Sequence, residues 1–348
     1  MKKIFILCSA LFVMHAFAED PWNCVNALGG NNNQAIASCD GDSPSKIEAT
    51  SADGVVANNT SLDVAWMYIA NNGNDSITQC QITLNGINLF TCQNKVPAKL
   101  TVGSYNNWSG IAASNDNLYI TSFGSRDIAM CRIGKDGIDI RACNKIKVIG
   151  NYSPLNPLII DNAIYYSSHS KIYRCQLGVD GVIVNARCSS FSLDEENDIK
   201  GMRAANNMIY ILHNNDYGKP DSIMQCRTTS DGIDGASCND VSLNGVNLAD
   251  SNSIYVSSSK VYITNSGKIV QCAVQNGEIS ADNCKSNSLG SGLTASYYFN
   301  GKLYLTDRDR DSIFQCDMSA KKINDDSCAR LKPVGDSKLS SPTSVVIQ

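Results

Sequence analysis

Cysteine is the residue type whose spacing in this chain points most clearly to a specific chemistry. Fourteen of the fifteen cysteines form seven pairs, five separated by 12 positions, one by 13 and one by 15. Thiols in pairs either form disulfides or bind zinc, but zinc ligands usually come as closely spaced C-x2-C knuckles, which no pair matches. The spacing therefore favours one disulfide per pair. The pairs are Cys24/Cys39, Cys80/Cys92, Cys131/Cys143, Cys175/Cys188, Cys226/Cys238, Cys272/Cys284 and Cys316/Cys328.

Histidine and carboxylate side chains are the other groups that could bind a metal or transfer protons. His169 and His213 belong to no recognisable triad or metal motif. The run from Asp307 to Asp311 alternates with arginine and has neither the turn glycine nor the distal acid of a calcium loop, so it reads as a self-compensating charge run. The sequence thus indicates no catalytic residue, no metal site and no cofactor.

Polar loops that differ in length and charge supply the candidate binding residues, because recognition loops on a rigid scaffold vary in this way. The alternative is that these loops are simply solvated. The candidates are Asn72, Asp75, Arg126, Asp127, His213, Asp216, Asp307, Arg308 and Asp309.

The elements that position these loops recur with the cysteines. Before each first cysteine of a complete copy lies a short apolar strand with a tyrosine, as in Leu118-Tyr119-Ile120-Thr121, then a polar loop and a second strand ending at the cysteine. Asp-Gly or Asn-Gly follows in most copies, as at Asp136-Gly137, which is typical of a hairpin turn. The paired cysteines should therefore lie on opposite arms of one hairpin. The repeated tyrosines are best explained as packing between sheets.

The period of the repeat predicts the architecture. A further apolar segment before each tyrosine strand gives about four strands over roughly 44 to 51 residues, which matches a β-propeller blade. Six copies run from about Gly54 to Cys328, and the segment around Cys24–Cys39 resembles two strands of another. Joining that segment to the C-terminal strand 341–347 would complete a seventh blade. We therefore predict an all-β, seven-bladed propeller with one disulfide per blade, with six blades plus an N-terminal extension as the alternative.

The strand motif Tyr262-Ile263-Thr264-Asn265 with Gly267 and Val270 resembles the Y-V-T-N repeats of bacterial propellers, which are related to NHL-type repeats. Relaxed forms occur at Tyr119-Ile120-Thr121-Ser122 and Tyr304-Leu305-Thr306-Asp307. The resemblance covers nearly the whole chain after the leader, and it implies a ring around a central channel. Propellers of this kind serve as ligand platforms, protein-binding surfaces and enzymes, so the resemblance does not decide the function.

The N-terminus and the bulk charge indicate where such a protein works. Residues 1–18 read as a secretory signal, with Lys2 and Lys3 before an apolar run and Ala16-Phe17-Ala18 as the cleavage pattern. Residues 19–348 would then form a single propeller domain in the periplasm or outside the cell. The formal net charge of −4 becomes about −6 without the leader lysines, and no basic cluster suggests a nucleic-acid partner. No segment is long enough to insert into a membrane, and we expect a monomer.

These patterns favour an exported binding or scaffold protein that recognises a protein or glycan through the loop-rich face of the ring. The rival is a lactonase-like hydrolase with its site at the central channel. Such sites usually gather several carboxylates or histidines, whereas the predicted channel-lining strands Gly110–Ser114 and Pro157–Ile160 carry none. A purely structural role in an envelope assembly is a third possibility.

Overall fold

A computed structural model describes residues 65–97, 108–114, 116–193, 198–214, 221–290, 292–318, 323 and 325–348. These belong to the second of two units into which the chain divides, Met1–Asp63 and Val64–Gln348. The predicted leader, Cys24, Cys39 and Asp216 therefore lie outside the described residues. Within the described ranges, no helix has the length and apolar character needed to cross a membrane.

Consecutive short strands form six antiparallel sheets, which are the blades of a propeller. The strands, in chain order, are β1 (Ala65–Asn71), β2 (Ser76–Thr83), β3 (Gly86–Ile87), β4 (Gln93–Lys95), β5 (Trp108–Ser114), β6 (Asn117–Ser122), β7 (Asp127–Gly134), β8 (Gly137–Lys147), β9 (Leu155–Ile160), β10 (Ala163–Ser168), β11 (Lys171–Leu177), β12 (Ile183–Ser192), β13 (Ile199–Ala205), β14 (Met208–His213), β15 (Ser222–Thr229), β16 (Gly232–Val241), β17 (Ser251–Val256), β18 (Lys260–Asn265), β19 (Lys268–Gln275), β20 (Glu278–Ser288), β21 (Leu293–Phe299), β22 (Lys302–Asp307), β23 (Ser312–Asp317), β24 (Cys328–Leu331) and β25 (Pro342–Ile347).

Five blades are built from four successive strands each, and the sixth draws its strands from both ends of the described chain. We number as blade 1 the sheet of β25, β1 and β2, with β3 and β4 along the outer edge of β2. Blades 2 to 6 follow in sequence from β5–β8 to β21–β24. The innermost strands β25, β5, β9, β13, β17 and β21 each contact the next around the ring, and β21 contacts β25. The ring is therefore closed.

The prediction of seven blades is wrong, and the closing strand shows why. β25 pairs with β1, placing Ile69 opposite Val345, and Trp66 and Gln348 exchange both backbone hydrogen bonds. The C-terminal segment is thus the inner strand that completes the first copy. Without it, the edge of β1 would face the channel unpaired. Four-stranded antiparallel blades with internal disulfides are confirmed.

The tyrosine strands are the second strands of the blades, and each lies between two neighbouring strands with sheets packed on both sides. Their tyrosines are at most 2% exposed, as predicted for residues that pack between sheets. Two of the hydroxyls also bridge blades: Tyr119 donates to the Gly181 carbonyl at 2.7 Å and Tyr210 to that of Gly277 at 2.6 Å. Each bond crosses to the outer hairpin of the following blade.

Disulfides join the third and fourth strands within every blade. Six bridges are described, with Cα–Cα separations of 3.9 to 4.1 Å: Cys80–Cys92, Cys131–Cys143, Cys175–Cys188, Cys226–Cys238, Cys272–Cys284 and Cys316–Cys328. None of these six connects different blades, which confirms the hairpin assignment. Each closes a short loop, worth roughly 3 kcal/mol in the chain-entropy model.

The outer hairpin turn of one blade docks on the third strand of the blade before it. Gly137 has φ +91°, and a Cβ at this position would collide with the Gln79 side chain. That side chain accepts from the Ile138 N–H at 2.9 Å and donates to the Asp136 carbonyl at 3.1 Å. The turn therefore requires glycine for two reasons, the positive φ of its backbone and the close approach of the Gln79 side chain.

A second set of bonds ties the inner strands into a ring. All six inner strands carry a bulge or register irregularity near their start, and four polar residues at these positions donate to the first residue of the next inner strand. The bonds are Asn156 Nδ2 to Ile199 O (2.9 Å), Asn252 Nδ2 to Leu293 O (2.8 Å), Thr294 Oγ1 to Pro342 O (2.7 Å) and Thr343 Oγ1 to Trp108 O (2.8 Å). The bulges thus explain why short polar residues recur at this point of the repeat.

Candidate functional site

The turns joining second to third strands lie beside the segments that link consecutive blades, and together they form what we call the loop face. The Asn72 N–H donates to the Ser341 carbonyl at 3.1 Å, and the Arg308 N–H to that of Gly292 at 2.9 Å. Because the turns are bonded to the linkers, this face is built on the rigid ring rather than on free loops.

Four of the predicted binding residues lie on the first two turns of this face. Asn72 and Asp75 are half-buried beside the closing strand, and burial raises the pKa of the Asp75 carboxyl. Arg126 is exposed. Asp127 is half-buried and lines a cavity of about 30 Å³ with Trp108 and others, which leaves room for little more than one or two waters.

His213 ends the second strand of blade 4 and is only 1% exposed. Its Nε2 lies 3.0 Å from Ser222 Oγ and 3.2 Å from Asp240 Oδ1. A Ser-His-Asp triad needs the serine and the carboxylate on opposite ring nitrogens, whereas here both meet the same one. The cluster therefore anchors the end of the strand and lacks the geometry of a nucleophile relay.

Asp307, Arg308 and Asp309 lie on the turn of blade 6 but differ in exposure. Arg308 and Asp309 are exposed and form a 3.8 Å ion pair, which is worth little at a surface. Asp307 is completely buried: among the described residues no side chain donates a hydrogen bond to its carboxylate, and its nearest charged partner is Arg310, whose Nη1 lies 3.9 Å from Oδ2. Burial raises the pKa of this carboxyl, and the nearby Arg310 and Arg330 oppose the increase. The sequence offered no signal of this burial.

Asn71 of blade 1 makes side-chain hydrogen bonds that Asp307 of blade 6 does not make. It holds the same position in blade 1, where its amide donates to Ser76 Oγ at 3.1 Å and to Thr78 Oγ1 at 2.8 Å. Ser312 faces Asp307 as Ser76 faces Asn71. Blade 6 therefore carries an acid where blade 1 has a satisfied amide.

Replacing this acid is expected to stabilise the protein. Asp307→Asn should raise the free energy of unfolding at neutral pH by about 1–3 kcal/mol, because it removes a buried charge whose long ion pair with the exposed Arg310 contributes little, and it supplies a donor for Ser312. The pKa of Asp307 is higher in the folded state than in the unfolded state. As the pH rises from the unfolded pKa to the folded pKa, Asp307 therefore lowers the free energy of unfolding. The gain from Asn should therefore grow across that interval and then stay constant.

Denaturant unfolding at several pH values measures this effect. Asp309→Asn in the same turn is the matched control, and its change should stay within about 0.5 kcal/mol. A pH-independent effect of the Asp307→Asn change would show that the charge is not its cause.

Exposed apolar side chains cluster on the loop face between blades 2 and 3. Phe123 and Tyr152 are 62% and 61% exposed, Ile149 is 38% exposed, and the His169 ring lies 5.1 Å from that of Tyr152. We call these four residues the aromatic patch. Sequence reasoning missed the patch because exposure depends on how two separate loops meet.

An axial cavity of about 100 Å³ runs between the inner strands of all six blades. Hydroxyl, amide and apolar groups line it, and Arg203 is the one charged residue among the described residues of the lining. No group of three or more His, Cys, Asp and Glu is placed to hold a metal ion in the described ranges. The cavity thus offers hydrogen bonds and one positive charge.

Comparisons with known proteins identify the fold of the chain but do not show its family. No protein-family model matches the chain, and no curated protein matches it. Among solved structures, the nidogen/laminin complex is similar with a TM-score of 0.57 at 12% identity, over 81% of this chain and 98% of the other. A candidate 6-phosphogluconolactonase from Bacteroides fragilis NCTC 9343 has a TM-score of 0.53 at 14% identity, over 84% and 99%. One from Bacteroides uniformis ATCC 8492 also has 0.53, at 15% identity, over 82% and 100%.

Likeness at this level of identity shows the β-propeller fold alone. The neighbours include a binding complex and candidate lactonases, so one architecture hosts both kinds of protein.

Proposed function

We propose that this protein is an exported β-propeller of the YVTN/NHL type that binds a partner protein through the aromatic patch on its loop face. The observation that carries this proposal is that Phe123, Ile149 and Tyr152 are exposed on two loops that the hydrogen bond from Gly124 to Ser153 joins. Contiguous exposed apolar groups with a polar surround mark interaction sites, and aromatic residues are enriched at the centres of protein interfaces.

The patch is held in shape before any partner arrives. The Gly124 N–H donates to Ser153 Oγ at 2.7 Å, joining the loop of Phe123 to that of Tyr152. Ser168 Oγ donates to the Tyr152 carbonyl at 3.0 Å. Groups already fixed in the bound arrangement lose less conformational entropy on binding, so such a surface favours affinity.

Polar groups surround these apolar side chains. His169 lies 3.6 Å from the exposed Asp198, and Arg126 is exposed on the turn that carries Phe123. An apolar centre with a charged rim suits a protein partner, because the rim sets orientation while the centre supplies affinity.

Export is supported by the six disulfides, which form and persist in oxidising compartments such as the periplasm or the extracellular space. The nidogen/laminin complex shows that a similar propeller occurs in a protein complex. We propose that the chain acts as a monomer without a cofactor. The axial cavity does not support the hydrolase alternative, because its described lining contains no histidine or carboxylate.

A binding comparison with matched variants tests the proposal. The immobilised mature protein is exposed to the cell-envelope proteins of its source, and retained proteins are titrated against Phe123→Ala/Tyr152→Ala. We expect at least a tenfold loss of affinity, since truncating central aromatic residues at interfaces typically costs 2 kcal/mol or more. Phe90→Ala/Val179→Ala removes two apolar groups that are more exposed than those of the patch and lie outside the turns of the loop face, so this variant should bind normally.

Circular dichroism should show that both variants remain folded. Equal loss in the two variants, or no loss in either, would contradict the patch as the binding surface. Retention of a glycan by the wild type, abolished by the same patch variant, would keep the surface and change the partner class.

A further inference from the structure

Arg203 marks a second site, separate from the aromatic patch. It lies on the inner strand of blade 4 and lines the axial cavity. Its guanidinium carbon is 4.5 Å from the centroid of the Tyr255 ring and 4.9 Å from that of Tyr297. Both contacts are within cation–π distance, so the charge is held by aromatic rings from the two following blades.

The two rings are themselves fixed. The Tyr297 hydroxyl donates to the Ile347 carbonyl at 3.2 Å, and the Tyr255 hydroxyl donates to the Tyr298 backbone carbonyl at 3.4 Å. Both rings are also almost fully buried. A guanidinium stacked on rigid rings keeps one orientation, and its N–H donors lie along its edge, in the geometry that recognises carboxylate or phosphate oxygens.

Hydroxyl groups accompany the charge along the cavity. Ser253 Oγ and Ser296 Oγ lie 3.4 Å apart on adjacent inner strands and line the same space. Each hydroxyl can both donate and accept, so the pair suits hydroxyl groups of a ligand. A volume of about 100 Å³ is several times what a single water requires, which is enough for a small organic molecule.

From these observations we infer that the axial cavity binds a small hydroxylated carboxylate, with Arg203 pairing with the carboxylate and the serine hydroxyls with its hydroxyl groups. The site is distinct from the loop-face surface and does not depend on the proposed protein partner. A positive charge that is fixed in a partly desolvated channel attracts anions more strongly than one in open water.

Calorimetric titration with glycerate tests this inference, with glycerol as the neutral analogue. The wild type should bind glycerate at millimolar concentration and show no binding of glycerol. Arg203→Gln should weaken glycerate binding by at least about tenfold, the usual scale for a lost charge-assisted hydrogen bond. Arg141→Gln makes the same charge change on an exposed residue outside the cavity and outside the loop face, and it should leave binding unaltered.

A second measurement keeps the test decisive if the Gln variant fails to fold. Arg203→Lys keeps the charge and serves to assign the Arg203 side-chain signal in NMR spectra of arginine-labelled protein. Glycerate should shift that signal in the wild type, and glycerol should not. Absence of glycerate binding, equal binding of glycerol, or unchanged binding by a folded Arg203→Gln variant would each overturn the inference.

Discussion

Deletion of residues 342–348 should abolish the cooperative fold of the ring. This segment contains the inner strand of blade 1, and its loss would expose Met67, Tyr68 and Ile69, which are fully buried. Fully burying a large apolar side chain contributes about 1.5–3 kcal/mol, so three such losses approach the whole stability of an ordinary domain. The deletion would also leave the inner edge of β1 unpaired.

Near-UV circular dichroism and thermal unfolding of the deletion variant measure this loss. We expect no native near-UV signal and no cooperative transition. Thr343→Ala is the control, because it keeps the strand and removes only the bonds to Ala70 and Trp108, at a cost of about 1–2 kcal/mol. A deletion variant that melts like the wild type would show that β25 does not close the ring.

Gly137→Ala should destabilise the protein far more than Gly245→Ala, although both turn glycines have a positive φ. Gly137→Ala should cost about 3 kcal/mol, because alanine disfavours φ +91° and its Cβ displaces Gln79, breaking two bonds between blades. Gly245→Ala, at φ +71° with no atom within 4 Å of the added Cβ, should cost only about 1 kcal/mol.

Chemical denaturation of the two alanine variants gives both values under non-reducing conditions. Gln79→Ala should reproduce part of the Gly137 effect, since it removes the same two bonds without changing the turn. Equal costs at Gly137 and Gly245 would mean that the turn contributes only its backbone angle and no docking between blades.

Local patterns in the sequence were sufficient to predict the blade. The cysteine spacing, the tyrosine strand and the Asp-Gly turn each describe contacts within one hairpin or one sheet, and such contacts repeat with the chain. The number of blades depends instead on which distant strand completes the first sheet. Both chain ends resemble parts of a blade, and periodicity alone does not say that Val345 lies opposite Ile69.

The same distinction between local patterns and contacts of distant segments applies to the candidate site. Alternation along the repeat correctly assigned the loops between second and third strands, because turn positions follow from strand positions. The burial of His213 and Asp307 could not be foreseen, because both end a strand whose cover comes from other segments. Arg203 could not be identified from the sequence either, because its proposed role depends on tyrosines in two other blades.

Disulfide mapping of an Ile69→Cys/Val345→Cys variant tests the ring most directly, and the loop face and the axial cavity both depend on that ring. Trp66 and Gln348 form a hydrogen-bonded pair, so Ile69 and Val345, three positions along each strand, are a closely spaced non-hydrogen-bonded pair suited to a disulfide. The six-bladed ring predicts that peptide mapping finds positions 69 and 345 linked to each other, with the native pairs intact. Free thiols at both positions, or a link from position 345 to Cys24 or Cys39, would contradict it.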